Sequence, residues 1–296
     1  MICQRFLFVL LLAVGGALLP ISTGRAHAQD SSKSTATTFQ LSIGSTMDMQ
    51  VENTPQKLNT ETDLKYIWER PEPGKRVLSL QQTGVRVFLN GKTTLNTIMN
   101  QYGTATVENG KSKTTPTADT SDEVKLMLTD SYSAPLVILD VNEQGEVLKQ
   151  EVVAKPGAKS QVDNGMITNC SLFHAPFFVD KEKFDRNIEI SMGNGGFAKG
   201  TVTYRRAKDY DPKSPKLTVS GKATKDKFQP SSANPAMTLR NAVYDISGEQ
   251  QFDPELGEWV AGTITMKVSF QLFSEEKAVG QADGTMTCKL SLPDQK

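Results

Sequence analysis

Apolar and polar residues alternate along much of the chain with a period of two. The pattern is most regular at 39–51 and at 264–272, where apolar side chains fill almost every second position. Because successive side chains of a β-strand point to opposite faces, this period predicts strands with one buried side and one side in solvent. Shorter alternations predict strands at 85–89, 124–128 and 202–204. No long segment repeats its apolar residues every 3.6 positions, so we predict little helix.

Turn-forming residues separate the alternating stretches. Asn90 and Gly91 are the pair favoured in tight hairpins, because both central residues of such a turn adopt positive φ angles. Acidic turns that end in glycine lie at 142–145 and 253–257, and each is followed by glutamate and a new apolar stretch. These signals predict antiparallel hairpins.

The predicted fold class is therefore all-β. The antiparallel strands form either one large curved sheet or half-barrel, or two similar β halves at 39–154 and 166–296 with a connector at 155–165. The similar acidic turns are the signal for two related halves. A stretch at 109–123 that is rich in Ser, Thr and Lys predicts a long exposed hairpin loop.

The N-terminal residues carry the pattern of an export signal. Arg5 precedes an apolar stretch at 6–19, and Ala26-His27-Ala28 has the small side chains that signal peptidase reads. We expect residues 1–28 to be removed and residues 29–38 to form a disordered lead-in. The mature protein is then expected to be soluble, periplasmic or extracellular, and without a transmembrane span.

His174 is the single histidine that remains after this cleavage. A His-rich metal site is therefore excluded within one chain, and a histidine-dependent triad would have to use this residue. Its neighbours Phe173, Phe177 and Phe178 are apolar, which favours a packed side chain over a catalytic base. The same four residues are candidates for the mouth of an apolar ligand groove.

Two cysteines, Cys170 and Cys288, also remain after cleavage. An oxidising compartment allows a disulfide between them, which would close a long loop and stabilise the fold by about 4 kcal/mol. Cys288 lies in an alternating stretch, so a buried free thiol on the inner side of a strand is the other interpretation. Both interpretations place Cys288 in the core.

The stretch ISMGNGGFAKGT at 190–201 contains the G-x-G-x-x-A spacing of a dinucleotide-binding turn. That use requires a helix directly after the glycines, whereas the following GTVTYRR alternates like a strand. We therefore predict a bend between two strands and no nucleotide cofactor.

Residues 140–151 match part of the calcium-binding EF-hand loop. Asp140, Asn142 and Gln144 occupy its first, third and fifth positions, and Glu151 occupies its twelfth. The valine-rich flank predicts a strand after the turn, which would carry Glu151 about 20 Å away. Two interpretations remain: a calcium site at Asp140, Asn142 and Gln144 completed by other loops, or an ordinary acidic turn.

Charge is distributed unevenly, although the whole chain has a formal net charge of +0. The segment 199–227 is basic, and the segment from 241 to the end is acidic. These segments either complement each other, or the basic one meets an anionic polymer or lipid head groups. The candidate basic strip comprises Lys199, Arg205, Arg206 and Lys208. Export and a near-neutral charge argue against nucleic acid as a partner.

Three pieces of the chain, LNGKTTLNTIM, VILDVNEQGEVL and FDPELGEWVAGTITMKVSFQL, carry long strands and acidic turns that end in glycine. In these pieces and in its export signal the chain resembles a family of exported bacterial proteins to which no function is assigned. The resemblance covers most of the mature chain. It implies an exported all-β protein and carries over no catalytic residue.

The sequence favours a non-catalytic envelope protein that binds a lipid or another hydrophobic ligand in a β groove. A structural or protein-binding module with exposed strand edges is the alternative. A hydrolase that uses a carboxylate pair such as Glu255 and Glu258 is the third hypothesis. The implied partners are a lipid, an envelope polymer or another envelope protein, and calcium is the one cofactor with a candidate site. The methionines predicted to face the groove are Met47, Met49, Met266 and Met286.

Overall fold

The computed structural model describes residues 35–51, 54–72, 74–100, 102–108, 111–119, 122–141, 147–155, 181–192, 196–229, 237–254 and 258–292. The described strands are β1 (Thr35–Val51), β2 (Thr54–Arg70), β3 (Lys75–Leu89), β4 (Lys92–Asn100), β5 (Gly103–Glu108), β6 (Lys111–Pro116), β7 (Val137–Val141), β8 (Val147–Val152), β9 (Lys183–Ser191), β10 (Phe197–Arg206), β11 (Lys216–Phe228), β12 (Met237–Asp253), β13 (Glu258–Ser274) and β14 (Lys277–Ser291). The helix α1 spans Asp122–Ser133 and follows a 3-10 turn at Thr117–Asp119.

All of these strands belong to one antiparallel sheet. Its order is β6-β5-β4-β3-β2-β1-β14-β13-β12-β11-β10-β9, so the first and last strands of the chain are neighbours near its middle. β7 pairs with the start of β3 and with β8, while β4 pairs with the end of β3, so the sheet forks there. In the described part of the chain β6 and β9 do not pair with each other, and the sheet is open. The prediction of one large curved antiparallel sheet is confirmed.

Residues from both predicted halves lie in this sheet. Residues 40–51 of β1 pair with residues 280–291 of β14, which joins the two parts through a continuous ladder. The division into 39–154 and 166–296 stays a prediction, because one sheet is compatible with one unit or with two related units.

Two predicted turns can be compared with their flanking strands. Asn90 and Gly91 have φ angles of 49° and 77°, and they connect the paired residues Leu89 and Lys92 as a tight hairpin. The glycine-rich stretch also joins two antiparallel strands, because Ser191 of β9 lies opposite Phe197 of β10. Residues 193–195 lie outside the described residues, but a strand and not a helix follows them.

The prediction was wrong at 109–128. The expected hairpin loop contains β6 and the 3-10 turn, and the expected strand at 124–128 lies within α1. So short an apolar run also fits helical spacing, because Val124, Met127 and Leu128 are three and four residues apart. Asp122 and Glu123 at the start of α1 suit the positive end of the helix dipole.

The last four residues of the lead-in predicted at 29–38 belong to β1. β1 begins at Thr35 and pairs from there with Arg70 at the end of β2. Its first residues include three threonines, whose β-branched side chains favour extended backbone. Residues 29–34 lie outside the described residues.

One face of the sheet, here called the inner face, is apolar and buried. It consists of the alternating positions predicted from the sequence, with Leu41, Leu64 and Ile264 between 0% and 2% exposed. Met47, Met49 and Met266 are buried there, as predicted, and Met286 packs partly buried against them. A flat single-layer sheet would leave this face in water, so its burial agrees with a curved sheet. The opposite side of the same strands is the outer face.

Glycines mark a diagonal line across the inner face. Each of four neighbouring strands carries one of these glycines. From one strand to the next, the glycine lies two residues away from the residue that is paired with the preceding glycine. Gly200 on β10 lies opposite Ala223, two residues from Gly221 on β11, and the same step recurs on β12 and β13. The line comprises Gly200, Gly221, Gly248 and Gly262.

The missing side chains along this line let neighbouring backbones approach. A Cβ added to Gly221 would lie 2.8 Å from the Cα of Val202, and one added to Gly248 would lie 2.8 Å from the Cα of Ile264. Both distances are shorter than any ordinary carbon contact. Glycine kinks of this kind are a means of bending a sheet, so the line contributes to the curvature around the inner face.

Candidate ligand-binding face

One row of residues crosses the inner face at right angles to the strands. It starts on the edge strand β9, ends on β3, and we call it the inner row. Neighbouring strands lie about 4.8 Å apart, so the five steps from β9 to β14 span about 24 Å. Its residues lie opposite one another in register. In order from β9 to β3 they are Arg186, Val202, Gly221, Ile246, Met266, Met286, Ser45, Thr60 and Val87.

The inner row changes character along its length. It begins with a cation at the edge, continues through five residues without a polar side chain, and reaches two hydroxyl groups on β1 and β2. Val202 and Met266 are fully buried and Ile246 is 3% exposed, whereas Arg186 and Met286 are partly exposed. The row is therefore an apolar track with an accessible residue at each end.

A partly exposed area surrounds the inner end of this track. It comprises Ile43, Thr62, Val85 and Met286, which we call the central patch. Ile43 lies opposite Thr62, and Thr62 lies opposite Val85. The patch residues are partly buried while Leu41 beside them is only 1% exposed, so solvent reaches the inner face at the patch.

Two hydroxyls adjoin the central patch within the apolar surface. The Oγ of Ser45 and the Oγ1 of Thr60 are 2.7 Å apart and share a hydrogen bond, with the residues 8% and 6% exposed. Each satisfies the other, as buried polar groups require. One hydroxyl proton and several lone pairs remain for a further partner.

A group of polar and aromatic side chains occupies the edge end of the inner row. This edge cluster comprises Phe184, Arg186, Tyr204 and Arg206. The rings of Phe184 and Tyr204 stack with centroids 4.9 Å apart and planes 11° from parallel. The guanidinium of Arg206 lies 4.6 Å from the ring centroid of Tyr210. The cluster places two cations beside aromatic rings on the apolar side of the sheet.

Tyr204 links this cluster to the core, because it is fully buried. Burial raises the pKa of its phenol, and the positive charge of Arg186 and a hydrogen bond donated by it act in the opposite direction. Arg186 is thereby held at the boundary between the apolar track and the edge of the sheet.

The candidate basic strip is divided between the two faces. Lys199 and Arg205 lie on the outer face, where Lys199 forms an exposed ion pair of 2.8 Å with Glu189. Arg206 lies on the inner face, opposite the buried Leu217, and Lys208 follows the end of β10. Whether the strip meets an anionic polymer stays a prediction.

The basic and acidic segments do contact each other on the outer face. Lys222 lies 3.8 Å from Asp245, and Lys227 lies 2.8 Å from Glu276. Glu276 also pairs with Arg240. These contacts support the interpretation that the two segments complement each other in charge.

The candidate calcium loop joins two paired strands. Asp140 of β7 lies opposite Lys149 of β8, and Glu151 lies opposite Ile138 on the strand. Glu151 is therefore part of a ladder and does not follow the turn as an EF-hand helix would place it, whereas Asn142 and Gln144 lie outside the described residues. In the described ranges no three His, Cys, Asp or Glu side chains are close enough to hold a metal ion.

Cys288 is a buried free thiol on β14, 2% exposed. Burial raises its pKa to about 12, so the thiol stays protonated at neutral pH. It lies opposite Ile43 and Ile264 on the inner face, which confirms its predicted place in the core. Its predicted disulfide partner Cys170 lies outside the described residues, and that bridge is not tested.

Other candidates of the sequence stay predictions because their residues are not described. The groove-mouth residues Phe173, His174, Phe177 and Phe178 lie in the undescribed range 156–180. For the hydrolase hypothesis, Glu255 is undescribed and Glu258 begins β13. No helix in the described ranges is long and apolar enough to span a membrane.

Fold and site together define an open antiparallel β-sheet protein with an apolar inner face and two arginines near one edge. No family model matches the chain, and no curated protein matches it. A solved structure of lipovitellin, which concerns lipid-protein interactions in that protein, is similar at a TM-score of 0.48 and 13% identity, over 87% of this chain and 25% of that chain. This chain therefore spans about a quarter of the lipovitellin chain.

Two bacterial structures are similar at lower TM-scores. OccK5 (OpdH) of Pseudomonas aeruginosa has a TM-score of 0.23 and 6% identity, over 86% of this chain and 98% of its own. The translocator domain of the autotransporter NalP from Neisseria meningitidis has a TM-score of 0.23 and 7% identity, over 98% of this chain and 94% of its own. Likenesses this weak carry no argument about function.

Sequence reasoning named Arg206 as part of the basic strip but missed the other three residues of the edge cluster. Arg186 lies between Phe184 and Ile188 in an alternating stretch, at a position where the period of two places a residue on the inner face. That interruption of an apolar alternation by a cation was the available signal. Its position beside Tyr204 depends on the pairing of β9 with β10, which one stretch of sequence does not reveal.

Proposed function

We propose that this chain is an exported envelope protein that binds a lipid or another hydrophobic ligand on the inner face of its sheet and catalyses no reaction. The inner row is the observation that carries the proposal. It is an apolar track about 24 Å long whose middle is buried and whose two end residues, Arg186 and Met286, are accessible, so a ligand would enter from an end.

The energy for such binding comes from the removal of hydrocarbon from water. Each buried methylene group of a ligand contributes about 0.8 kcal/mol. Met266 and Met286 near the middle of the row suit this role, because unbranched thioether side chains adapt their shape to a neighbour. The polar groups next to the row would orient the ligand.

Access follows from the open sheet. Since β6 and β9 do not pair among the described residues, a ligand that enters between them would not break ladder hydrogen bonds. The central patch, where Ile43 and Val85 are partly exposed, is a second point of contact with solvent.

Native mass spectrometry of protein purified gently from its own cells tests the proposal. We expect bound lipid masses on the wild-type chain and on a Ser42→Asn variant, whose change lies on the outer face. The Ile43→Asn variant, changed at the central patch, should carry less lipid. A clean protein mass across several preparations would overturn lipid binding. The same spectra give the intact mass, which tests cleavage after Ala28.

The protein-binding alternative has its own structural support. Within the described strands β9 pairs on one side only, with β10, and so presents an edge of backbone donors and acceptors. A partner strand can add to such an edge. This alternative predicts a protein partner in the native mass spectrum in place of a lipid.

A further inference from the structure

The strand β8 lies at an edge of the sheet and has side chains in solvent. Among the described strands it pairs only with β7. Leu148 is 69% and Val152 is 47% exposed, although both are large apolar residues. Lys149 and Glu151 form an ion pair of 3.7 Å within the strand, and their side chains are 66% and 58% exposed. The edge is therefore accessible at these residues, and it combines exposed apolar groups with charges of both signs.

The backbone of β8 directs hydrogen-bond donors and acceptors toward its open side. The N–H of Val153, just after β8, donates a hydrogen bond of 3.0 Å to the C=O of Leu136 on the β7 side. Because the backbone groups of successive strand residues point to alternate sides, those of Gln150 and Val152 point away from β7. Backbone groups at an open edge are a template for a strand of another chain.

The strands β6 and β9, at the two ends of the described strand order, are less suited to pair with a copy of themselves. β6 carries Lys111 and Lys113 and ends in Pro116, and lysine and proline at an edge oppose strand addition. β9, paired antiparallel with itself about its middle residue, would place Asp185 opposite Glu189. Like charges directly opposite each other destabilise a pair of strands. These obstacles are absent from the residues of β8 named above.

The sequence of β8 is complementary to itself in charge. When two copies pair antiparallel about Gln150, Lys149 of each copy lies opposite Glu151 of the other, so this opposite-charge pair occurs twice. Leu148 of each copy lies opposite Val152 of the other. The two neighbouring registers that keep the faces of the joined sheets continuous place Lys149 opposite itself or Glu151 opposite itself. Charge therefore selects the register about Gln150.

We propose that β8 is the interface of a symmetric homodimer, in which the β8 strands of two copies pair antiparallel about Gln150 and join the two sheets. A second copy of this chain is the partner that the charges favour, because the strand itself supplies both members of each ion pair. A twofold axis through Gln150 closes the assembly at two copies, since the same edge is used on both. The inference goes beyond ligand binding and does not depend on it.

Two further contributions accompany the charge pairs. The backbone groups of Gln150 in the two copies face each other across the axis and can exchange hydrogen bonds. The exposed apolar surface of Leu148 and Val152 loses contact with water when the strands meet. One pair of short strands is a small interface, so we expect a dimer that dissociates on dilution.

Sedimentation velocity of the purified chain over a concentration series tests this interface. The wild type should change from the monomer mass to the dimer mass as the concentration rises. Lys149→Glu and Glu151→Lys each place like charges opposite one another twice, and each should weaken dimerisation at least about tenfold. An equimolar mixture of the two variants should regain the dimer, because every pair is then one glutamate with one lysine. Lys113→Glu, the same charge change at an exposed position of β6, is the matched control and should dimerise like the wild type.

Each other outcome would contradict the β8 interface. A wild-type chain that stays monomeric across the series would overturn the dimer, and assemblies larger than a dimer would contradict a closed twofold interface. Dimers that persist in both single variants, or that disappear in Lys113→Glu, would place the contact elsewhere. Variants that stay monomeric both alone and when mixed would also overturn the proposal, because the changed side chains of Lys149 and Glu151 are exposed and the fold does not require them.

Discussion

The inner and outer faces of the sheet belong to the same strands but carry different side chains. On β10 the inner residues Val202 and Tyr204 are fully buried, while Thr203 between them donates a hydrogen bond of 2.6 Å to Asp185 in solvent. The outer face carries exposed ion pairs such as Lys199 with Glu189, whereas the inner face is mainly apolar.

The difference indicates where the stability of the fold lies. Exposed ion pairs contribute about 0–1 kcal/mol each, whereas a buried aliphatic side chain contributes about 1.5–3 kcal/mol. The inner face therefore holds the sheet together, and the outer face keeps it in water.

The largest expected effect comes from filling the glycine line. Gly248→Val places a Cβ 2.8 Å from the Cα of Ile264, and the clash is with backbone that cannot rotate away. We expect a loss of about 3 kcal/mol or more, or failure to fold. Equilibrium unfolding in urea measures this loss.

Gly44→Val is the matched change on the outer face of β1, where a Cβ meets nothing within 4 Å. It should be neutral or slightly stabilising, because valine favours a strand more than glycine does. Equal effects at Gly44 and Gly248 would contradict the difference between the faces.

A smaller effect is expected from a cavity on the inner face. Leu64→Ala removes a side chain that is 2% exposed, and we expect a cost of about 2–5 kcal/mol. Lys65→Ala, next to it on the exposed outer face, should change the free energy of unfolding by less than about 0.5 kcal/mol. Similar costs for both variants would mean that Leu64 is not part of the core.

Alkaline pH tests the burial of Tyr244 on β12. Burial raises its pKa from 10.0 to about 12, so between these values the unfolded state releases its proton first. Stability should thus fall as pH rises from 10 to 12, by on the order of 2 kcal/mol from this residue. A Tyr244→Phe variant should show a weaker decline in urea midpoints across this range. An unchanged decline would place the phenol in water.

The smallest effect is expected on the outer face. Glu189→Gln breaks the exposed pair with Lys199 and should lower stability by less than about 1 kcal/mol, and by less still at high salt. Thermal unfolding at two salt concentrations measures this loss of stability and its salt dependence. A cost above about 2 kcal/mol would show that the ion pair is not solvent-screened.

Much of the fold could be predicted from the local alternation of apolar and polar residues and from the turn residues. The period of two places Leu41, Met266 and Cys288 on one face, and Asn90-Gly91 specifies its hairpin. The helix at 122–133 could not be predicted in this way, because its short apolar run fits both the strand period of two and the helix period of 3.6. The pairing of β1 with β14 depends on contacts between the two ends of the chain, and alternation alone does not encode them.

Less of the candidate site could be predicted from the sequence. A lone arginine in an alternating stretch has no meaning until its neighbours across the sheet are known. Only the register shows that Arg186 begins a row that reaches Met286 and Ser45, and that Arg206 lies on the same face. The predicted groove near His174 and the calcium loop concerned single segments, where sequence motifs are easier to recognise.

Quenching of tryptophan fluorescence by 9,10-dibromostearic acid tests the central claim most directly. The chain has two tryptophans, Trp68 and Trp259, and both are 2% exposed among the buried residues of the inner face. Each lies seven or eight residues along its strand from the inner row, about 23–26 Å away, so the probe is a Met286→Trp variant that places a tryptophan in the row itself. A brominated chain bound there should quench the emission of this variant more strongly than that of the wild-type chain, in a saturable titration that unbrominated stearic acid reverses. Lipid co-purified with the wild-type chain but no quenching of the Met286→Trp variant by the brominated acid would place the ligand elsewhere and contradict an inner-face site.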